Sequence, residues 1–224
     1  MNAGIFRTIE NHMLGLMKDS AHDKEHIYRV LYMALDIASH EVNVDMDVLI
    51  AACLLHDIGR EEQYKNPNVC HAQAGSRLAH DFLMGIGWDS TMADHVRECI
   101  LTHRYRNENL PDSLEAKILF DADKIDATGT LGIARTLIYQ GQESEPLYSV
   151  DDTGHVLDGA SDEPPSFFQE YKLKLEKLYG IFYTKRGRDV AASRRDAAVA
   201  FYNSLLAEAR ECYEAGKCIL EEIL

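Results

Sequence analysis

The sequence predicts an all-α fold. Apolar residues recur at helical spacing along most of its 224 residues, alternating strand patterns are nearly absent, and one break in that texture, from Gln140 to Gln169, separates two helical blocks. The first twenty residues, MNAGIFRTIENHMLGLMKDS, carry Glu10 and Asp19 without a basic leader region, and they read as an amphipathic helix rather than a secretion signal. In DKEHIYRVLYMALDIASHE, Ile27, Val30, Leu31, Ala34, Leu35 and Ala38 fall at i, i+3, i+4, i+7 and i+8, one buried helix face. The unbroken apolar run Val48 to Leu55 predicts a helix surrounded by protein, capped by Asp45 or Asp47, carrying His56 and Asp57 at its end and stopped by Gly59. Further helices are expected at about Ala72 to Met84, Ser90 to His103, Ser113 to Thr128, Phe168 to Thr184 and Arg188 to Gly216.

The Gln140 to Gln169 stretch holds three of the five prolines, three glycines, seven acidic residues and no lysine or arginine. Connections of this length are functional lids or disordered segments, and LYSVDDTGHVLDG also suits a small hairpin around Asp152-Thr153-Gly154. The chain is read as one domain, 1–224, with a His/Asp core at about 20–130, this insertion at about 140–169 and C-terminal helices at about 168–218. Clustered aromatics at Phe167, Phe168, Tyr171, Tyr179, Phe182 and Tyr183 have mostly helical spacing and suit core rather than a base-stacking platform, although one of them could cover a nucleobase.

Composition bounds the partners. With 37 acidic and 23 basic residues the formal charge is −14, which repels phosphate backbones at long range and argues against large nucleic acids. The longest apolar run is far shorter than a membrane span of about 20 residues. Five cysteines with no C-x-x-C pair fit neither a disulfide framework nor a zinc ribbon, and a reducing cytoplasm suits them best. A small anionic substrate stays open, because a metal and a few basic side chains can dominate the field inside a pocket.

Ten histidines are present, and most read as ordinary surface or core residues. His56 differs, since it precedes Asp57 at the end of the most buried helix, where an uncompensated charge is expensive and a divalent cation is a natural partner. His26 lies beside the apolar stripe of the preceding helix, and LFDADKIDATG supplies Asp121 and Asp123. Two positions on a helix differ by about 200°, so these two aspartates cannot both face one metal. Helices in a bundle can converge such side chains, and two imidazoles with two carboxylates suit Mn, Fe, Ni, Co or Zn. Asp126 shares the Asp123 face and can orient a water or a ligand histidine.

The order His26, His56-Asp57, Asp123, with LLHDIGR around the doublet and ADKIDA around the last aspartate, resembles the HD-domain metal-dependent phosphohydrolase superfamily. ILTHRYR, AKILFDADKIDATGTLGIAR and KLEKLYGIFYTKRGRDVAASR are similar to bacterial members resembling nucleotide pyrophosphohydrolases. The resemblance implies a helical HD bundle, a divalent metal (Mg included) held by His26, His56, Asp57 and Asp123, and a small phosphorylated substrate, with a nucleotide favoured. It selects Asp123 over Asp121, because family members place the ligand in an A-D pair. His71 and His103 stand where binuclear members carry extra histidines, and they either bind a second metal or line the pocket beside one. Arg60 and Arg104 follow pocket residues directly and suit phosphate, with Lys65 and Lys124 as further basic candidates. Nucleotidase-like relatives carry HD-x-x-E, where this chain has Arg60, so a simple nucleoside-monophosphate phosphatase is not implied. The implied mechanism is attack by an activated water on phosphorus, with Asp57 orienting the water, Arg60 and Lys124 offsetting phosphate charge, and the acidic loop closing over the site. The other readings are a regulatory module that binds a nucleotide without hydrolysing it and a di-iron oxygenase.

Overall fold

The computed structural model describes residues 1–16, 24–104, 109–161 and 164–224. Met17 to Ser20, Asp23, Tyr105 and Arg106, within segments quoted above, lie outside them. The fold is all-α, and among the described residues the only β feature is a bridge between Val150 and Val156. The chain divides into two compact units, Met1–Asp126 with Tyr183–Gly187, and Ala127–Phe182 with Arg188–Leu224.

The first unit is built around α3 (Met46–Leu55), which packs against α1 (Ala3–Leu16), α2 (Lys24–Ala38), α6 (Ser90–Thr102) and α7 (Leu114–Ile125). A helix contacted on so many sides must be apolar all round, and Val48, Leu49, Ala51, Ala52, Cys53, Leu54 and Leu55 are all buried. Asp45 caps it, accepting from the Asp47 and Val48 amides, while Asp47 is already helical. Asp89 and Ser113 cap α6 and α7 in the same way. Gly59 does not stop α3 in the left-handed conformation expected of a terminating glycine: its φ is −83°, and it caps a short helix, α4 (Arg60–Lys65), that the periodicity does not predict. What demands glycine is α5 (His71–Gly85), whose backbone crosses directly against it.

In the second unit, α8 (Gly129–Gln142) occupies a stretch for which the apolar pattern predicts no helix, because Gly129, Gly132 and Gly141 depress helix propensity. Gly132 is needed there, since a Cβ would sit 2.1 Å from the Ala127 carbonyl oxygen. The expected long helix from Phe168 is α9 (Phe167–Leu173) followed by a 3-10 segment, Leu175–Gly180. Three residues per turn put Leu175 and Leu178 on one face, and both are buried. The last expected helix is α10 (Lys185–Arg210), a π-helical turn at Glu211–Ala215, and α11 (Gly216–Ile223).

The insertion is shorter than its composition suggests, because α8 runs to Gln142. It carries the small hairpin: Asp151 accepts from the Thr153 and His155 amides, and the tip turns at Gly154, φ +82°. Val156 is fully buried among Phe167, Phe168, Tyr171 and Tyr202. Arg210 donates to the Val156 carbonyl, Glu214 accepts from the Val156 amide at 2.8 Å, and Tyr202 donates to the Asp158 carbonyl, which ties the hairpin to the C-terminal helices of the same unit. No helix among the described residues is long and apolar enough to cross a membrane.

Candidate metal centre

Each histidine of interest is delivered by a helix end. His56 is the C-cap of α3 and His103 the C-cap of α6, and each directs its Nδ1 to the carbonyl three residues back, Cys53 at 2.8 Å and Ile100 at 2.6 Å. His26 lies in the first turn of α2, and His71 opens α5. Their Nδ1 atoms are held by side chains, His26 by Asp126 Oδ2 at 2.8 Å and His71 by Gln63 Oε1 at 2.7 Å. With every Nδ1 donating its proton to an oxygen acceptor, the Nδ1–H tautomer is set and the Nε2 lone pair faces inward, the arrangement in which imidazole ligates a metal.

The four Nε2 atoms surround Asp57, which is fully buried, and its two oxygens face different neighbours. Oδ2 lies 3.6 Å from His26 Nε2 and 3.7 Å from His56 Nε2. Those two nitrogens are 3.4 Å apart, and Asp123 Oδ1 completes the group at 3.5 Å from His26 and 4.0 Å from His56. Oδ1 lies 3.6 Å from His71 Nε2 and 3.7 Å from His103 Nε2. Ligands bound tetrahedrally at about 2.1 Å stand about 3.4 Å apart, so both triads, His26/His56/Asp123 and Asp57/His71/His103, have the spacing to hold an ion. Among the described residues Asp57 Oδ2 has no hydrogen-bond partner, although a buried carboxylate oxygen without one is costly. The donor set therefore fits a divalent cation.

Charge sharpens the fit. Burial would raise the Asp57 carboxyl, but Arg60 and then His56 hold it well below the usual carboxylate range. Asp123 is likewise held low against burial, by Lys124 and His56. Burial brings His56 down to about 4, and burial followed by the Arg60 charge brings His71 down to about 2, so these imidazoles stay neutral and available as ligands.

Asp121 and Asp123 do different work. Asp121 turns away from the centre and accepts from the Tyr183 amide at 2.9 Å and from the Thr184 amide and hydroxyl at 2.7 Å each. It anchors the segment that begins α10. Asp126, besides holding His26, is gripped by Arg29 through Nε at 2.7 Å and Nη2 at 3.1 Å. Arg29 and Gln63 were not legible as site residues, since a charged or amide residue on a helix ordinarily faces solvent; the only trace of Arg29 is its position three residues after His26, on the same face.

The basic residues are less uniform than the sequence implies. Arg60 Nε is 3.0 Å from Asp57 Oδ1, and Lys124 Nζ is 2.6 Å from Asp123 Oδ2. Both cations sit on candidate ligands. Arg104 lies 3.7 Å from Cys70 Sγ and lines a cavity of about 210 Å³ with Gln73 and Asn109. Lys65, expected as a phosphate contact, pairs with Glu61 at 2.7 Å on an exposed face of α4, where the i, i+4 spacing of a short helix engages it. His12 stacks on Phe82, and His80, His95 and His155 pair with acidic residues elsewhere.

Residues 24–128 match the family model of the HD domain. The chain is 27% identical over 192 residues, 84% of each chain, to the uncharacterised protein YpgQ of Bacillus subtilis. The crystal structure of YpgQ in complex with ADP superposes with a TM-score of 0.69 at 25% identity, covering 91% of this chain and 97% of that one. A predicted HD superfamily hydrolase from an uncultured Thermotogales bacterium is 30% identical, with a TM-score of 0.61 over 93% of this chain and 99% of that one. A Lactobacillus plantarum protein shares the fold, with a TM-score of 0.73 at 24% identity over 93% and 98% of the two chains.

Proposed function

Because this chain belongs to the HD-domain superfamily, we propose that it is a metal-dependent phosphohydrolase acting on a small phosphorylated compound, a nucleotide in the first instance. One observation carries the reading. Four imidazole Nε2 atoms, each with its other nitrogen anchored, face a buried aspartate whose Oδ2 has no partner. That arrangement serves a cation and is costly without one. The complex of YpgQ with ADP favours a nucleotide over other phosphate compounds.

In this reading His26, His56, Asp57 and Asp123 hold the metal, which when bound lowers the pKa of water and polarises a phosphoryl oxygen. Asp57 orients the attacking water through Oδ2. Asp126 keeps His26 in its ligating tautomer, and Arg29 fixes Asp126 in turn. His71 and His103 line the pocket beside the metal, while Arg60, Arg104 and Lys124 offset the charge of the substrate phosphate. Release of pyrophosphate from a nucleoside triphosphate is the favoured reaction within this class.

The test is a panel of nucleoside mono-, di- and triphosphates incubated with protein loaded in turn with Mn, Fe, Co, Ni, Zn or Mg, reading phosphate and pyrophosphate release. Turnover of one nucleotide class supports the reading, and absence of release under every metal sinks it. Tight nucleotide binding without turnover would point to a regulatory module, and a requirement for dioxygen with two irons per chain to an oxygenase.

A further inference from the structure

We infer that Arg60 is the determinant of metal number, holding the place of a second cation so that the centre takes one ion on the Oδ2 side of Asp57. This rests on the metal-dependent reading above. Both triads have ligand spacing, so distance alone does not explain why one would be filled and the other not. The difference lies in what already occupies Asp57. Its Oδ2 faces His26 and His56 and has no hydrogen-bond partner, whereas its Oδ1, the oxygen facing His71 and His103, accepts from Arg60 Nε at 3.0 Å.

A guanidinium is a fixed positive charge that cannot be relieved by losing a proton. An ion on Oδ1 would have to stand beside it, or evict it from the carboxylate oxygen that its Nε donates to. The charge count points the same way. The centre has two carboxylates, Asp57 and Asp123, and each already meets one cation, Arg60 and Lys124. One divalent ion leaves the cluster with an excess near +2, which already draws a phosphorylated anion. A second would double that excess with no further carboxylate in either triad to offset it. His71 and His103 are then left to face substrate, which gives the departure from HD-x-x-E at this position a physical role.

The experiment measures bound Mn per chain by elemental analysis after equilibrium dialysis, with electron paramagnetic resonance to detect coupled Mn pairs. It uses the wild type, Arg60→Gln, Arg60→Lys and Arg60→Gln/His71→Ala, each checked for folding by circular dichroism. Wild type and Arg60→Lys are expected to hold about one ion. Arg60→Gln should rise to about two with a coupled-pair spectrum, and the double variant should return to about one. Arg60→Gln remaining at one ion, or wild type or Arg60→Lys taking two, overturns the assignment while leaving the phosphohydrolase reading intact. A folded wild type that binds no ion overturns both.

Discussion

Gly59 and His71 are in such close backbone contact that a Cβ on Gly59 would sit 2.3 Å from the His71 carbonyl oxygen and 2.4 Å from the Gly75 amide nitrogen. The close approach sets where α5 starts, and so where the His71 imidazole stands relative to Asp57. Gly59→Ala must push two backbones apart, which costs about 1–3 kcal/mol. A lowered thermal midpoint together with altered binding at the centre is the expected outcome. An unchanged midpoint would show that α5 is not held by this contact.

Asp121 and Asp123 should separate cleanly by experiment. Asp121→Ala removes the acceptor of the half-buried Tyr183 amide and of the buried Thr184 amide and hydroxyl, and is expected to cost about 3 kcal/mol in stability, since hydrogen bonds to an ionised group are the strong ones. Metal stoichiometry should survive in whatever fraction folds. Asp123→Ala should do the reverse, losing metal with a smaller change in the midpoint of the metal-free protein. Retention of metal by Asp123→Ala would refute its place among the ligands.

Arg29 acts at one remove, through Asp126 and then His26. Arg29→Met should weaken metal affinity about tenfold, the lower end of what outer partners of ligating histidines contribute. Arg29→Lys should recover part of it, because the charge remains and the two-pronged grip is lost. Chelator competition reads the effect directly. A drop in stability with unaltered affinity would make Arg29 a structural residue only.

The metal-free protein should lose stability as the solution is acidified. An unfolded histidine takes up a proton near pH 6.5, while His56 in the fold does so only at about 4 and His71 at about 2. Between those values the unfolded chain binds protons that the native chain does not, so stability falls as pH drops from about 6.5. Asp57 and Asp123 act below that range: held low in the fold, they contribute stability above the unfolded carboxylate pKa that is lost as pH falls further. Urea midpoints in the presence of chelator at pH 7.5, 6.0 and 5.0 check this, and a midpoint that is flat or rises on acidification contradicts it.

Helical class and the buried α3 are legible in the sequence, because apolar periodicity is a local property of the chain, whereas His26, His56, Asp57 and Asp123 stand out as a set only through the resemblance to the HD-domain superfamily. The same locality explains the failures. α8 is hidden by three glycines, of which Gly132 is required by a close contact at Ala127, and Gly59 is conspicuous in sequence but owes its presence to a helix beginning twelve residues later. Only the tertiary structure decides that Asp121 anchors residues 183 and 184 while Asp123 faces the histidines, that Arg29 and Gln63 fix the imidazoles, and that Arg60 lies on one oxygen of Asp57 and not the other. Those facts depend on which side chains meet across distant segments, and the direction of a buried carboxylate is settled by the partners that packing brings to each of its oxygens.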